Sequence, residues 1–210
     1  MASRAPLSLV PSPTRRAIGD AELALALGAG EPWAVGEVWQ RYSAMVLTMA
    51  ERALGSRSDA EDLAQEVFYR ACLLASTLRD PNSLRSFIYS IAIRVLRNTL
   101  RYRRLRRWLS FSRPETLVDL RFTTFDIESR DLLRKFYALL DRLSARDRVV
   151  FVLRRVEAMT IEEIAALTEL SESTVKRSLL RASAQLSSWV QAEPALAELA
   201  AGDFGGKHER

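Results

Sequence analysis

Apolar positions recur with the helical period of about 3.6 residues on both sides of a short break near residue 170. Before the break, Thr160 is followed three residues later by Glu163, the spacing of a capping box at the start of a helix. After the break, Ser171 precedes a second apolar-periodic run and is a second candidate N-cap. Residues 160–181 therefore predict two capped helices joined by a tight turn, which is a helix-turn-helix.

The second of these helices has one apolar face and one polar face. Its apolar stripe has to be buried and consists of Val175, Leu179, Ala182, Leu186 and Trp189. Ser173 and Arg177 lie nearly opposite that stripe, and the flanks carry Glu172, Lys176 and Arg181. A recognition helix presents such a face to a DNA major groove. The competing interpretation is an amphipathic helical hairpin whose Lys and Arg side chains are simply solvated.

The pattern along the rest of the chain predicts an all-α protein with two small helical domains. The first domain is helical nearly throughout, with breaks at 28–32, 55–59 and 80–82, which gives four helices. Periodicity then lapses around Pro114, Thr123 and Thr124, so a flexible linker is expected there. The predicted segments are a disordered leader at 1–19, the first domain at 20–110, the linker at 111–129, the second domain at 130–190 and a tail at 191–210.

The last helix of the first domain is strongly basic. No acidic residue occurs between Asn82 and Arg113, and residues 94–107 contain seven Arg. Like charges on one helix repel each other, and no Glu is interspersed to balance them. Phosphate groups would supply the missing anions, and Tyr89, Tyr102 and Trp108 add rings that could stack on unpaired bases. The row that lines the side away from the apolar residues consists of Arg94, Arg97, Arg101 and Arg104.

The preceding helix has the opposite charge. Asp62, Gln65 and Glu66 form a polar patch one turn long beside an inner apolar row. Acidic residues in a first turn are favoured by the helix dipole, but this does not account for Glu66. Paired carboxylates could also suggest acid–base chemistry, yet no nucleophile, metal or pocket signature accompanies them. A docking surface for a basic protein partner is the simpler interpretation.

Composition narrows the function classes further. The 210 residues carry a formal net charge of +5, with one Cys and one His. One Cys forms no internal disulfide, and one His in a charged tail builds neither a metal cluster nor a His-based catalytic site. We therefore expect no cofactor and no enzymatic activity. Apolar runs fall well short of the roughly 20 residues that cross a bilayer, so no membrane insertion and a cytoplasmic location are expected.

In residues 20–189 these motifs resemble the bacterial RNA polymerase sigma factors of the extracytoplasmic-function (ECF) group. Residues 59–68 look like the family's region 2.2 helix, and residues 87–92 with the following Arg run look like regions 2.3 and 2.4. Residues 139–182 look like region 4. The order and spacing of these segments in a chain of this length are highly specific.

The resemblance implies a promoter-specificity subunit that binds core RNA polymerase and promoter DNA, and it leaves room for an anti-sigma factor as a further partner. It places core polymerase binding on the polar patch of Asp62, Gln65 and Glu66. It places −10 DNA binding on Arg85, Tyr89, Arg94, Arg97, Arg101 and Arg104, and −35 DNA binding on Glu172, Ser173, Thr174, Lys176, Arg177 and Arg181.

The chain departs from the family pattern at informative positions. The family usually has Trp where this chain has Phe87, and Asn where it has Arg94. It usually has Ser then Arg where this chain has Arg177 then Ser178. These differences leave the expected fold intact and bear on which bases are read, because Arg does not reproduce the paired donor and acceptor of Asn.

Two other functions compete with this interpretation. An autonomous helix-turn-helix regulator would also carry a recognition helix near its C-terminus, but its N-terminal domain should hold a ligand pocket or phospho-acceptor rather than a second basic helix. A nucleic-acid enzyme with the same basic surface would need a metal-binding cluster of carboxylates or His. Binding to core polymerase discriminates among the three.

Overall fold

A computed structural model describes residues 18–109 and 127–203, and within them the side chains of residues 18–106 and 129–199. The predicted leader therefore lies almost wholly outside the described residues, as do most of the predicted linker and the end of the tail. The described residues form helices joined by short turns. None of these helices is both long and apolar enough to cross a membrane.

The first domain contains the four helices predicted from the pattern of apolar positions. They are α1 (Asp20–Gly28), α2 (Pro32–Leu54), α3 (Arg57–Leu74) and α4 (Leu84–Leu109). Two single turns of 3-10 helix, Ala75–Thr77 and Pro81–Ser83, connect α3 to α4. The sequence break at residues 80–82 corresponds to the second turn, where the Asp80 carboxylate accepts a hydrogen bond from the Asn82 amide at 3.0 Å.

Helix α2 ends at a position that requires glycine. Gly55 has a φ of 70° and a left-handed conformation, and its amide donates to the carbonyl of Glu51. Glycine adopts this conformation without the steric cost that a Cβ atom brings. Ser56 then caps α3 by accepting a hydrogen bond from the Asp59 amide at 3.3 Å. The short connection holds the C-terminal end of α2 close to the start of α3.

The second domain is built around the predicted helix-turn-helix. Its helices are α5 (Ile127–Leu140), α6 (Ala145–Arg155), α7 (Ile161–Thr168), α8 (Glu172–Gln191) and α9 (Pro194–Asp203). The capping box forms as predicted: the Glu163 amide donates to the Thr160 hydroxyl at 3.2 Å, and the Thr160 amide donates to the Glu163 carboxylate at 2.7 Å. The hydroxyl of Ser171 caps α8 by accepting from the Thr174 amide at 3.3 Å.

Two helix boundaries differ from those expected from the sequence. Helix α5 begins at Ile127, inside the range predicted as linker. Helix α9 occupies part of the range predicted as a tail, and its Leu196 is buried against α5 and α8. Pro194 is the first position of this helix, where the missing amide hydrogen costs nothing.

The two domains pack against each other. One apolar cluster runs from the four helices of the first domain into α6, α7 and α8, where it includes Val149, Val152, Leu153, Ile164 and Val175. A smaller cluster joins α5, the end of α8 and α9. Helix α6 therefore contacts α2 and α4 on one side and the helix-turn-helix on the other.

Candidate nucleic-acid and protein interfaces

The recognition-helix candidate α8 has the predicted two faces. Val175, Ala182 and Leu186 are buried, and Leu179 and Trp189 are half-buried. On the opposite side, Glu172, Ser173, Lys176 and Arg177 are exposed and Thr174 is half-buried. Helix α7 is followed by Glu169, whose left-handed conformation turns the chain sharply toward α8. The turn leaves the N-terminal half of α8 open to a ligand.

Arg177 is exposed and lies along its own helix. Its Nε donates to the carbonyl of Ser173 at 3.3 Å, and its Nη2 lies 3.4 Å from the Thr174 hydroxyl. These are long, weak contacts, so the side chain is free to extend. The next residue, Ser178, is 1% exposed. Of the two departures from the family pattern that lie in α8, Arg177 is open to solvent and Ser178 is buried.

Arg181 has a structural partner that the sequence did not reveal. Its Nε and Nη2 donate to the two carboxylate oxygens of Asp147 at 2.9 and 2.7 Å. Burial alone would raise the pKa of Asp147, but hydrogen bonds from Arg181 and Ser144 outweigh it and lower the pKa below its ordinary value. The pair fastens α8 to α6. Arg181, which was predicted to contact −35 DNA, is exposed and also pairs with a buried carboxylate of its own domain.

Some arginines of the basic helix α4 are exposed, and others form hydrogen bonds within the protein. Arg101 and Arg104 are exposed, and Arg97 is half-buried. With Arg146 at the start of α6, these residues line an open groove of about 1650 Å³. Arg103, which was not among the predicted contacts, pairs with Asp59 and donates to the carbonyl of Leu54 at 3.2 Å.

The remaining residues of the predicted −10 surface have different environments. Arg85 is exposed, whereas Tyr89 is 7% exposed. Burial and the nearby Glu157 carboxylate raise the pKa of the Tyr89 hydroxyl. The Arg94 guanidinium pairs with Glu169 of the second domain. In this conformation Tyr89 is unavailable for stacking on a base, and Arg94 already has an acidic partner.

The polar patch on α3 faces away from the core. Asp62 and Gln65 are exposed, and Glu66 pairs with Arg70 one turn later at 2.6 Å. Tyr69 and Leu73 continue the same face of the helix, and each is 62% exposed. This apolar extension was not predicted, although the spacing of residues 62, 65, 69 and 73 along one helical face indicates it. The surface combines acidic and apolar groups.

Comparisons with known proteins agree with this architecture. The Sigma-70 region 2 family matches residues 38–106, and the Sigma-70, region 4 family matches residues 133–186. The ferric citrate uptake sigma factor FecI of Escherichia coli (strain K12) is 31% identical over 137 residues, which cover 62% of this chain and 76% of FecI. The RNA polymerase sigma factor NccH of Alcaligenes xylosoxydans xylosoxydans is 25% identical over 82% of this chain and 95% of NccH.

A solved structure shows the same fold. CnrH, in complex with the cytosolic domain of CnrY, matches with a TM-score of 0.57 and 26% identity over 83% of this chain and 98% of CnrH. The chain belongs to the sigma-70 family of RNA polymerase sigma factors, in its ECF group. The first matched segment contains most of the basic helix α4, and the second contains most of the recognition-helix candidate α8.

Proposed function

We propose that this chain is the promoter-recognition subunit of a bacterial RNA polymerase, with no catalytic activity of its own, acting in the cytoplasm. Its first domain contacts core polymerase through Asp62, Gln65 and Glu66 and the −10 element through α4. Its second domain contacts the −35 element through α8. The supporting observation is that one chain carries both an arginine-rich helix and a helix-turn-helix, together with an acidic surface suited to a basic protein.

The proposed −10 contacts are Arg85, Tyr89, Arg94, Arg97, Arg101 and Arg104, of which Tyr89 is buried in the described conformation. The proposed −35 contacts are Glu172, Ser173, Thr174, Lys176, Arg177 and Arg181, of which Arg181 also pairs with Asp147. An anti-sigma factor is a further proposed partner, in keeping with the solved structure of CnrH, which is itself a complex with the cytosolic domain of another protein.

The polymerase contact is tested by reversing charge on α3. Asp62→Arg with Glu66→Arg should abolish binding to core polymerase while leaving the helix content unchanged, because both side chains lie outside the core. Binding is measured by pull-down with purified core polymerase, and helix content by circular dichroism. A folded double variant that binds core polymerase normally would contradict the docking claim.

A matched control separates the effect of the site from that of net charge. Glu22→Arg with Glu198→Arg makes the same change in net charge at exposed positions on α1 and α9. Polymerase binding should survive in this variant. An autonomous helix-turn-helix regulator would instead bind its promoter without polymerase and would be unaffected by either pair of substitutions.

A further inference from the structure

The segment that precedes the first helix carries charge of one sign. Residues 1–19 contain Arg4, Arg15 and Arg16 and no acidic residue. In the whole chain, by contrast, 31 Lys and Arg stand against 26 Asp and Glu. Basic arms that precede a folded DNA-binding domain bind DNA in several classes of protein. The composition of this segment therefore favours a polyanion as its partner.

The structure shows where this segment joins the fold. Ile18 packs against the core of the first domain, and the Gly19 carbonyl accepts a hydrogen bond from the Leu23 amide at 3.0 Å at the start of α1. Helix α1 contacts both the 3-10 turn Pro81–Ser83 and α4. Packing therefore fixes the position of Ile18 relative to the basic helix.

The first residue of the proposed −10 surface lies close to this junction. Arg85 is exposed and follows the 3-10 turn by two residues. Asp20 of α1 pairs with Arg41 of α2 at 2.8 Å. Tyr42 and Arg41, together with the positive charge of Arg85, lower the pKa of the Asp20 carboxyl. The chain thus enters α1 beside Arg85, and the carboxylate at the junction is already engaged by a cation.

Arg15 and Arg16 are the cations nearest to this anchor along the chain. An extended chain spans at most about 3.3 to 3.6 Å per residue, so both Cα atoms lie within about 11 Å of the Ile18 Cα. DNA that contacts Arg85 is within reach of both side chains. Tethering also gives the two guanidiniums a high effective concentration at that DNA.

We propose that Arg15 and Arg16 bind phosphate groups of promoter DNA beside the −10 element and so extend the basic surface of α4 beyond Arg85. The inference rests on the proposed function, because it takes the −10 element to lie along α4. Phosphate contacts hold the protein on DNA without reading its sequence. The two arginines therefore add affinity for promoters in general and leave the choice of promoter to the two domains.

Neutralising the two arginines tests the proposal. Arg15→Gln with Arg16→Gln should reduce the slope of log K against log salt by about 1.4 to 1.8, at 0.7 to 0.9 for each phosphate that is no longer neutralised. The slope is measured for promoter binding by the full chain in complex with core polymerase. Binding should weaken by the same factor on promoters with different −10 sequences. Arg15→Lys with Arg16→Lys should keep the parent's slope, because Lys also neutralises phosphate.

The position of the contact is tested by crosslinking. Ser12→Cys in a Cys72→Ala background carries a thiol-linked photo-crosslinker six residues before Ile18, within about 22 Å of it along an extended chain. Crosslinks should form on the DNA next to the −10 element. The same reagent on Glu198→Cys of α9 should give none there. Crosslinks from residue 12 that are absent, or confined to the −35 region, overturn the proposal.

A matched pair of substitutions controls for net charge. Arg130→Gln with Arg134→Gln makes the same change at exposed positions on α5, which carries none of the proposed DNA contacts. This variant should keep the parent's slope. An unchanged slope in the Arg15→Gln, Arg16→Gln chain overturns the proposal, and so does an equal reduction in the α5 control. A loss of core polymerase binding in a pull-down also overturns it, because the arginines would then contact protein.

Failure of this inference is distinguishable from failure of the proposed function. If the parent complex does not prefer promoter DNA to other DNA, the proposed function itself fails. If the parent complex selects promoters and the slope does not depend on residues 15 and 16, only the role of these two arginines is wrong.

Discussion

Asp147 and Arg181 show how one ion pair determines the placement of the recognition helix. The Asp147 carboxylate is 3% exposed and receives two hydrogen bonds from Arg181. A buried carboxylate is stable in the protein only when such partners offset the loss of water. The pair therefore fixes the angle between α6 and α8, and with it the direction in which α8 presents its exposed face.

Asp147→Asn should lower the free energy of unfolding by about 1.5 to 3 kcal/mol at neutral pH, the range for hydrogen bonds to charged groups. Because folding lowers the pKa of Asp147, its contribution is complete above the ordinary pKa of an Asp carboxyl and is lost as the pH falls through the lowered value. Urea unfolding across acidic pH measures this. If the difference in the free energy of unfolding between the parent and Asp147→Asn stayed constant down to the lowest pH, the lowered pKa of Asp147 would be contradicted.

Arg177 is the residue best placed to read a base. It is exposed on the face of α8 opposite the buried stripe, and only weak contacts hold it to its own helix. Arg177→Ala should relax discrimination among −35 variants by about 1 to 3 kcal/mol, the value of a bidentate contact to guanine. Binding of the polymerase complex to a −35 library measures it.

A phosphate contact would behave differently from a base contact. It would weaken binding to every −35 sequence by the same factor, in which case Lys176 becomes the stronger candidate for base reading. Arg155→Ala is a suitable control, because Arg155 is exposed on α6 and is not among the proposed −35 contacts. Selectivity should be unchanged in that variant.

Helix α4 carries both exposed arginines that we propose bind nucleic acid and an arginine, Arg103, that pairs within the protein. Replacing Arg97, Arg101 and Arg104 by Gln should reduce the slope of log K against log salt for promoter binding by about 2 to 3, at 0.7 to 0.9 for each phosphate that is no longer neutralised. The free energy of unfolding of this triple variant should change little. Salt titration of promoter binding by the polymerase complex measures the slope.

Arg103→Gln is the matched substitution on the same helix. It removes the hydrogen bonds from Arg103 to Asp59 and to the Leu54 carbonyl, so it should lower stability and leave the salt slope nearly unchanged. If all four arginines altered the slope equally, the division between surface and structural charges on α4 would be wrong.

Local signals were sufficient to predict most helices of the described residues. The hydroxyls of Thr160 and Ser171 start α7 and α8 because a cap is a contact within one turn, which a sequence displays directly. The apolar stripe of α8 was also predicted, because the helical period of a sequence shows which residues share a face. Helix α9 was not, because Pro194 can either break a helix or begin one, and burial of Leu196 decides between them.

The partners of individual charged residues across the chain could not be predicted from the sequence. Arg181 and Asp147 are 34 positions apart, and Arg148 and Ala53 are 95 apart. Helical periodicity assigns residues to faces but does not say which faces meet. The candidate DNA faces could therefore be proposed from the sequence, whereas the packing of the second domain against the first could not.

The packing of the second domain against the first should weaken when Arg148, which donates to the Ala53 carbonyl of α2, is removed. Arg148→Ala removes the guanidinium that donates to Asp141 and to the Ala53 carbonyl, which should cost about 3 to 5 kcal/mol, the range for breaking a buried ion pair. Part of this cost is avoided if the domains separate, because water then reaches both groups. We therefore expect a larger radius of gyration by small-angle scattering and faster hydrogen exchange at the end of α2 and in α6. Arg155→Ala, on the same helix but exposed, should change neither quantity. A folded Arg148→Ala chain with the radius and exchange pattern of the parent would show that Arg148 does not hold the domains together.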